Sequence, residues 1–140
     1  MYYDCSNNEH GLKHDPFKAI IAPRPIGWIS TVSEEGVLNL APYSFFNAVA
    51  ANPNYVMFST VNRKDSLKNI ESNGEFTCSI STWDTREGMN ISSAPVDYLA
   101  DEFALANLAT SPSQFVKPPR VARAPAVSYT HLRAHETPLH

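Results

Sequence analysis

The stretch from Ile26 to Ala41 constrains this chain most, because it has the pattern of a β-hairpin. Ile26 to Val32 (IGWISTV) is rich in β-branched and aromatic side chains, which suit a pleated surface. Ser33-Glu34-Glu35-Gly36 is a polar turn ending in glycine, and Val37 to Ala41 resumes the strand pattern. Upstream, Asp15-Pro16 has the form of an N-cap followed by proline at the first helical position. It opens a short helix that runs to Ile21, before Pro23 and Pro25 force extended backbone.

Downstream, Asn52-Pro53-Asn54 is a break, and Tyr55 to Val61 (YVMFSTV) reads as an apolar strand buried on both faces. Asp65 is placed to cap a helix through Ser72, with Leu67 and Ile70 on its inner face and Gly74 at its C-cap. Glu75 to Ser81 alternates, setting Phe76, Cys78 and Ile80 on one face. Short helices are expected near Arg86 to Ile91, with Asp84 as cap, and from Asp101 to Leu108. Four prolines between Ser111 and Pro125 predict an irregular surface crossing. Strands with short helices between them and no βαβ rhythm predict a mainly β, barrel-like or α+β domain rather than a Rossmann sheet.

Composition narrows the function. A net charge of -3 over 140 residues argues against nucleic acid as a general partner, since phosphate backbones select basic surfaces. The N-terminus has neither a basic n-region nor an apolar h-region, and no run approaches a membrane span. Cys5 and Cys78 have no CxxC or metal spacing, so a reduced, cytoplasmic setting is expected.

The chemistry concentrates in two stretches. Asn39 to Asn47 (NLAPYSFFN) mixes Asn39, Ser44 and Asn47 with Tyr43, Phe45 and Phe46. Flat rings beside amides and hydroxyls suit a planar heteroaromatic ligand, although an aromatic core segment with polar residues turned outward has the same composition. Lys64-Asp65-Ser66 stands at a helix start, where free N–H groups attract anions; the alternative is an ordinary capped helix. Arg24, on stiff backbone between two prolines, and Ser30-Thr31, on the first strand, are further phosphate or ribityl candidates.

Taken in order, Ala22 to Thr31 (APRPIGWIST), Gly36 to Ala48 (GVLNLAPYSFFNA), Tyr55 to Thr60 (YVMFST), Lys64 to Ile70 (KDSLKNI), Gly74-Glu75-Phe76 and Val116 to Val121 (VKPPRV) resemble the flavin reductase-like, FMN-binding split-barrel family. The resemblance implies a six-stranded Greek-key barrel that binds FMN (or FAD) and usually forms a homodimer with the flavin near the interface. It implies that Ser30 and Thr31 lie on the flavin-contacting strand. Asn39, Ala41, Pro42, Tyr43, Ser44, Phe45 and Asn47 then surround the isoalloxazine and ribityl groups, and Ser59, Lys64 and Ser66 hold the phosphate. It further implies hydride transfer from NAD(P)H to the flavin, with the protein supplying no acid, base or metal. A flavoredoxin-like electron carrier reduced by a partner protein, or an inactive fragment, are the alternatives.

The resemblance covers roughly residues 14 to 127, residues 1–128 are taken as the family domain, and the barrel is expected to be incomplete at its C-terminal end. Residues 129–140 look foreign: SYTHLRAHET resembles translated adapter sequence rather than the family's next strands. His131 and His135 have helical metal-pair spacing but lack the glutamate of HExxH, so no metal is expected. The tail is expected to be irregular, with a strand edge left unpaired beside it.

Overall fold

The computed structural model describes residues 2–62 and 64–132. Pro16, rather than Asp15, is the N-cap of the helix α1 (Phe17–Ile20), with Asp15 Oδ1 accepting from the Phe17 N–H at 2.9 Å. The predicted hairpin is β1 (Gly27–Val32) and β2 (Leu38–Tyr43), antiparallel from Val32↔Leu38 to Gly27↔Tyr43. There follow β3 (Phe46–Ala51), β4 (Asn54–Phe58), α2 (Asp65–Asn73) and β5 (Glu75–Ser79). After a single 3₁₀ turn at Trp83–Thr85 come α3 (Arg86–Ile91), α4 (Glu102–Leu105), β6 (Thr110–Ser111), β7 (Arg120–Val121) and β8 (Val127–His131). The strands form a four-stranded sheet in the order β2-β1-β5-β8 and two ribbons, β3-β4 and β6-β7. This is a mainly β split barrel with short helices, as the sequence predicts.

The sheet is buried on both faces. Ile29, Tyr43, Phe76 and Cys78 point one way and pack with Ile70 of α2. Trp28 and Leu40 point the other way and pack with Phe103 of α4, Val121 of β7 and Ala124. Two glycines permit this. Gly74 ends α2 in the left-handed region at φ 75°, its N–H reaching the Ile70 carbonyl, so β5 starts directly under the helix. At Gly27 a Cβ would lie 2.5 Å from the Phe46 ring, so this position lets β3 close over β1.

Several expectations are corrected. β2 runs past the expected Ala41 to Tyr43, because its pairing with β1 continues to Gly27, and after a bend at Ser44 and Phe45 β3 begins at Phe46. β4 is not buried on both faces; it pairs with β3 alone, and Met57 is 52% exposed. Lys64, not Asp65, occupies the N-cap of α2, and it makes no side-chain cap. Thr82 and Thr85, not Asp84, build the capping box before α3. Ile80 lies beyond β5 and is exposed. The crossing from Ser111 to Pro125 is not all surface, because Val116, Pro118 and Val121 are buried.

The tail does not begin as irregular chain. Tyr129, Thr130 and His131 pair with Thr77, Phe76 and Glu75, extending β8 across the expected boundary at residue 128. A strand can dock there because β5 offers an unpaired edge, which recruits whatever extended backbone follows. β8 is an edge strand, with His131 and Leu132 exposed. His135 lies outside the described residues.

Candidate functional site

A cleft of about 370 Å³ opens at the outer edge of β2. One wall is β2 itself (Asn39, Ala41, Pro42, Tyr43), the second is the start of α2 (Lys64, Asp65, Ser66), and the third is Ser92 to Val96 with Glu102. An edge strand must satisfy its outward backbone groups, and β2 does so in two ways. Pro42 has no N–H to present. The Leu40 N–H donates to Glu102 Oε2 at 3.0 Å, so α4 is latched to the strand.

The walls are tied together by buried polar contacts. Asn39 Nδ2 donates to Ser66 Oγ at 3.5 Å, linking β2 to the first turn of α2. Asn69 Nδ2 donates to Thr31 Oγ1 at 3.0 Å, and its Oδ1 accepts from the Tyr98 hydroxyl at 2.8 Å. The Trp28 indole N–H donates to Ser92 Oγ at 3.0 Å. Such satisfied networks fix side chains in one arrangement.

Among the described residues three buried polar atoms, Arg24 Nε, Ser30 Oγ and Tyr43 Oη, lack a hydrogen-bond partner, and of these residues only Tyr43, 6% exposed, lines the cleft. Burial pushes the phenol above its ordinary range, and Asp65 and Glu102 add to that. The Ser66 hydroxyl, close by but outside hydrogen-bond geometry, pulls the other way. Lys64 Nζ stands 6.0 Å from the Tyr43 ring. Glu102, 5% exposed, is likewise raised, first by burial and then by Asp65 and Asp101, against the stabilising bond from Leu40.

Of the residues singled out in the sequence, Asn39, Ala41, Pro42, Tyr43, Lys64 and Ser66 meet at this cleft. Thr31 lies behind it, holding Asn69. Ser30 is fully buried in the sheet with its hydroxyl unpartnered, away from the cleft lining. Arg24 is not brought in: its Nη1 donates to the Lys18 and Ile21 carbonyls at 2.6 Å, closing the end of α1, and the guanidinium sits over Phe45. Ser44 and Phe45 lie at the bend between β2 and β3. Asn47 is exposed, and its Oδ1 accepts from the next N–H. Ser59 is exposed, its N–H donating to the Phe45 carbonyl. Sequence reasoning missed Ser92, Ser93 and Glu102, which reach the cleft only through packing across the sheet.

A split barrel with a cleft between the edge of its main sheet and a helix N-terminus defines a class of small-molecule-binding β domains. The comparisons place the chain within that class. The flavin reductase like domain family model matches residues 21–138, and the chain belongs to this family. An uncharacterised protein of Aquifex aeolicus is 40% identical over 110 residues, 75% of this chain and 56% of the relative. The chain thus spans little more than half the length of that relative. Among solved structures, nitrilotriacetate monooxygenase component B from Bacillus cereus superposes with a TM-score of 0.84 at 32% identity, over 96% of this chain and 69% of that one. The 2-nitrobenzoate 2-nitroreductase NbaA of Pseudomonas fluorescens gives 0.85 at 25% identity, over 96% and 66%. Among the described residues no helix is long and apolar enough to cross a membrane.

Proposed function

We propose that this chain is the flavin-binding part of an oxidoreductase that takes hydride from NAD(P)H onto FMN. The observation that carries the reading is the cleft at the β2 edge in a chain of the flavin reductase-like family. The uncapped first turn of α2 presents N–H groups, Lys64 supplies a cation, and the buried Tyr43 hydroxyl is left for a ligand to satisfy. These donors fit a phosphate ester. The apolar backing from Ala41, Pro42 and the Tyr43 ring fits a flat ring system.

When bound, the flavin supplies the redox chemistry. The protein's own residues hold and orient it. Lys64 and the start of α2 fix the phosphate, while Asn39 and Ser66 keep the two walls at a set separation. Flavin contacts from Ser30, Thr31, Ser44, Phe45 and Asn47, and phosphate or ribityl contacts from Ser59 and Arg24, are further parts of the proposal, although none of the seven lines the cleft. FAD in place of FMN, a cytoplasmic setting and homodimerisation are parts of the same proposal. The exposed apolar face of the β3-β4 ribbon, with Val49 and Met57, supports a partner subunit there. Residues 1–128 as the family domain and 129–140 as a non-native tail complete it.

Titration with FMN, followed by anaerobic mixing with NADH or NADPH, tests the function. Binding and direct bleaching of the flavin support it. Binding without bleaching favours a carrier reduced by another protein. No binding of FMN refutes the assignment of the cleft.

A further inference from the structure

Among the described residues, the charged side chains lining the cleft are Lys64, Asp65 and Glu102. Two of these are carboxylates, which a cleft read as an anion site has to accommodate. Glu102 is the buried member of the pair, and its position is fixed by the Leu40 N–H. Among the described residues, the groups that act on it are Asp65 from α2, Asp101 at the N-cap of α4 and Tyr43 from β2, with Lys64 lining the same cleft; Ser92 to Val96 contribute no titratable side chain. Independently, the unpartnered Tyr43 hydroxyl marks the same space as a ligand site. Because Glu102 is buried in the cleft wall, an anion bound in the cleft feels its charge through a medium that screens it poorly.

We propose that Glu102 makes the binding of a phosphate-bearing ligand proton-linked: the anion and a proton on the Glu102 carboxylate are taken up together. The proposal rests on the phosphate reading above and adds a residue that sets which charge state of the site accepts the ligand. The latch to β2 survives protonation, because a carboxylic acid still presents a carbonyl oxygen to the Leu40 N–H. The charge disappears while the geometry stays. Removing that charge relieves repulsion on the bound phosphate, and by reciprocity bound phosphate favours the protonated acid.

The test compares FMN with riboflavin, which lacks the phosphate, in the wild type and in Glu102→Gln, which keeps an acceptor for Leu40 and removes the charge. At about pH 8 the variant binds FMN about fivefold or more tightly than the wild type, as expected for unit charges within a Debye length. The gap narrows as pH falls through the raised range of Glu102, where the wild-type carboxylate neutralises itself. Riboflavin affinity is the same in both proteins. A gap that does not change with pH, or equal changes for both ligands, overturns the proposal by showing a merely structural role. Calorimetry on the wild type in two buffers of different ionisation enthalpy gives a measurement independent of the variant. Net proton uptake with FMN supports the proposal, and net release overturns it, because ionisation of the phosphate beside Lys64 has the opposite sign. Equal affinity of the wild type for FMN and riboflavin refutes the phosphate reading itself, and is seen before any variant is made.

Discussion

Replacing Lys64 by alanine is the sharpest test of where the ligand's phosphate lies. Lys64 is exposed at the N-cap of α2 and makes no cap of its own, so its loss leaves the fold intact. A hydrogen bond to a charged group contributes about 1.5–3 kcal/mol, and exposure moves the value towards the lower end, to about 1–2 kcal/mol. FMN affinity is therefore expected to fall about five- to thirtyfold, read by quenching of flavin fluorescence. Riboflavin affinity stays within about twofold. High salt shrinks the FMN effect, because about 1 M salt cuts the Debye length to about 3 Å. Ser66→Ala is a poorer probe. Ser66 is buried and accepts from Asn39 Nδ2, so its loss strands a buried amide and weakens both ligands together. Equal losses for FMN and riboflavin in Lys64→Ala refute the placement of the phosphate at α2.

Three further outcomes are expected. Glu102 is raised in the folded state, so the stability it contributes is full below the ordinary glutamate range and is lost as pH rises through its raised value; chemical denaturation against pH shows this decline in the wild type and its absence in Glu102→Gln. Burial pushes the Cys78 thiol up to about 11, so a thiol reagent at about pH 8 modifies exposed Cys5 at once and Cys78 only on unfolding; fast loss of both thiols refutes the buried placement. Truncation after Ser128 removes the pairing of Tyr129, Thr130 and His131 with β5 and lowers stability by about 1–3 kcal/mol, read by chemical denaturation; unchanged stability refutes the docking of β8 on β5.

What the sequence determined by itself is local. Asp15-Pro16 started α1, the Ser33–Gly36 turn joined β1 to β2, and Gly74 ended α2, because each acts on backbone within a few residues. Ordered segments from Ala22 to Val121 were enough to point to the family, and six of the thirteen site residues they singled out line one cleft.

The tertiary structure decided what depends on neighbours distant in sequence. β2 extends past Ala41 to Pro42 and Tyr43 because Gly27 and Trp28 pair along them. YVMFSTV is apolar, yet pairing with β3 as a two-stranded ribbon leaves Tyr55, Met57 and Val61 exposed while Val56 and Phe58 turn to the core. Arg24 looked like a phosphate ligand until the carbonyls of α1 claimed it. Glu102, 62 residues from Leu40, had no local mark of a cleft residue. A carboxylate's role follows from the backbone donor it satisfies and the charges it faces, and only packing brings those together.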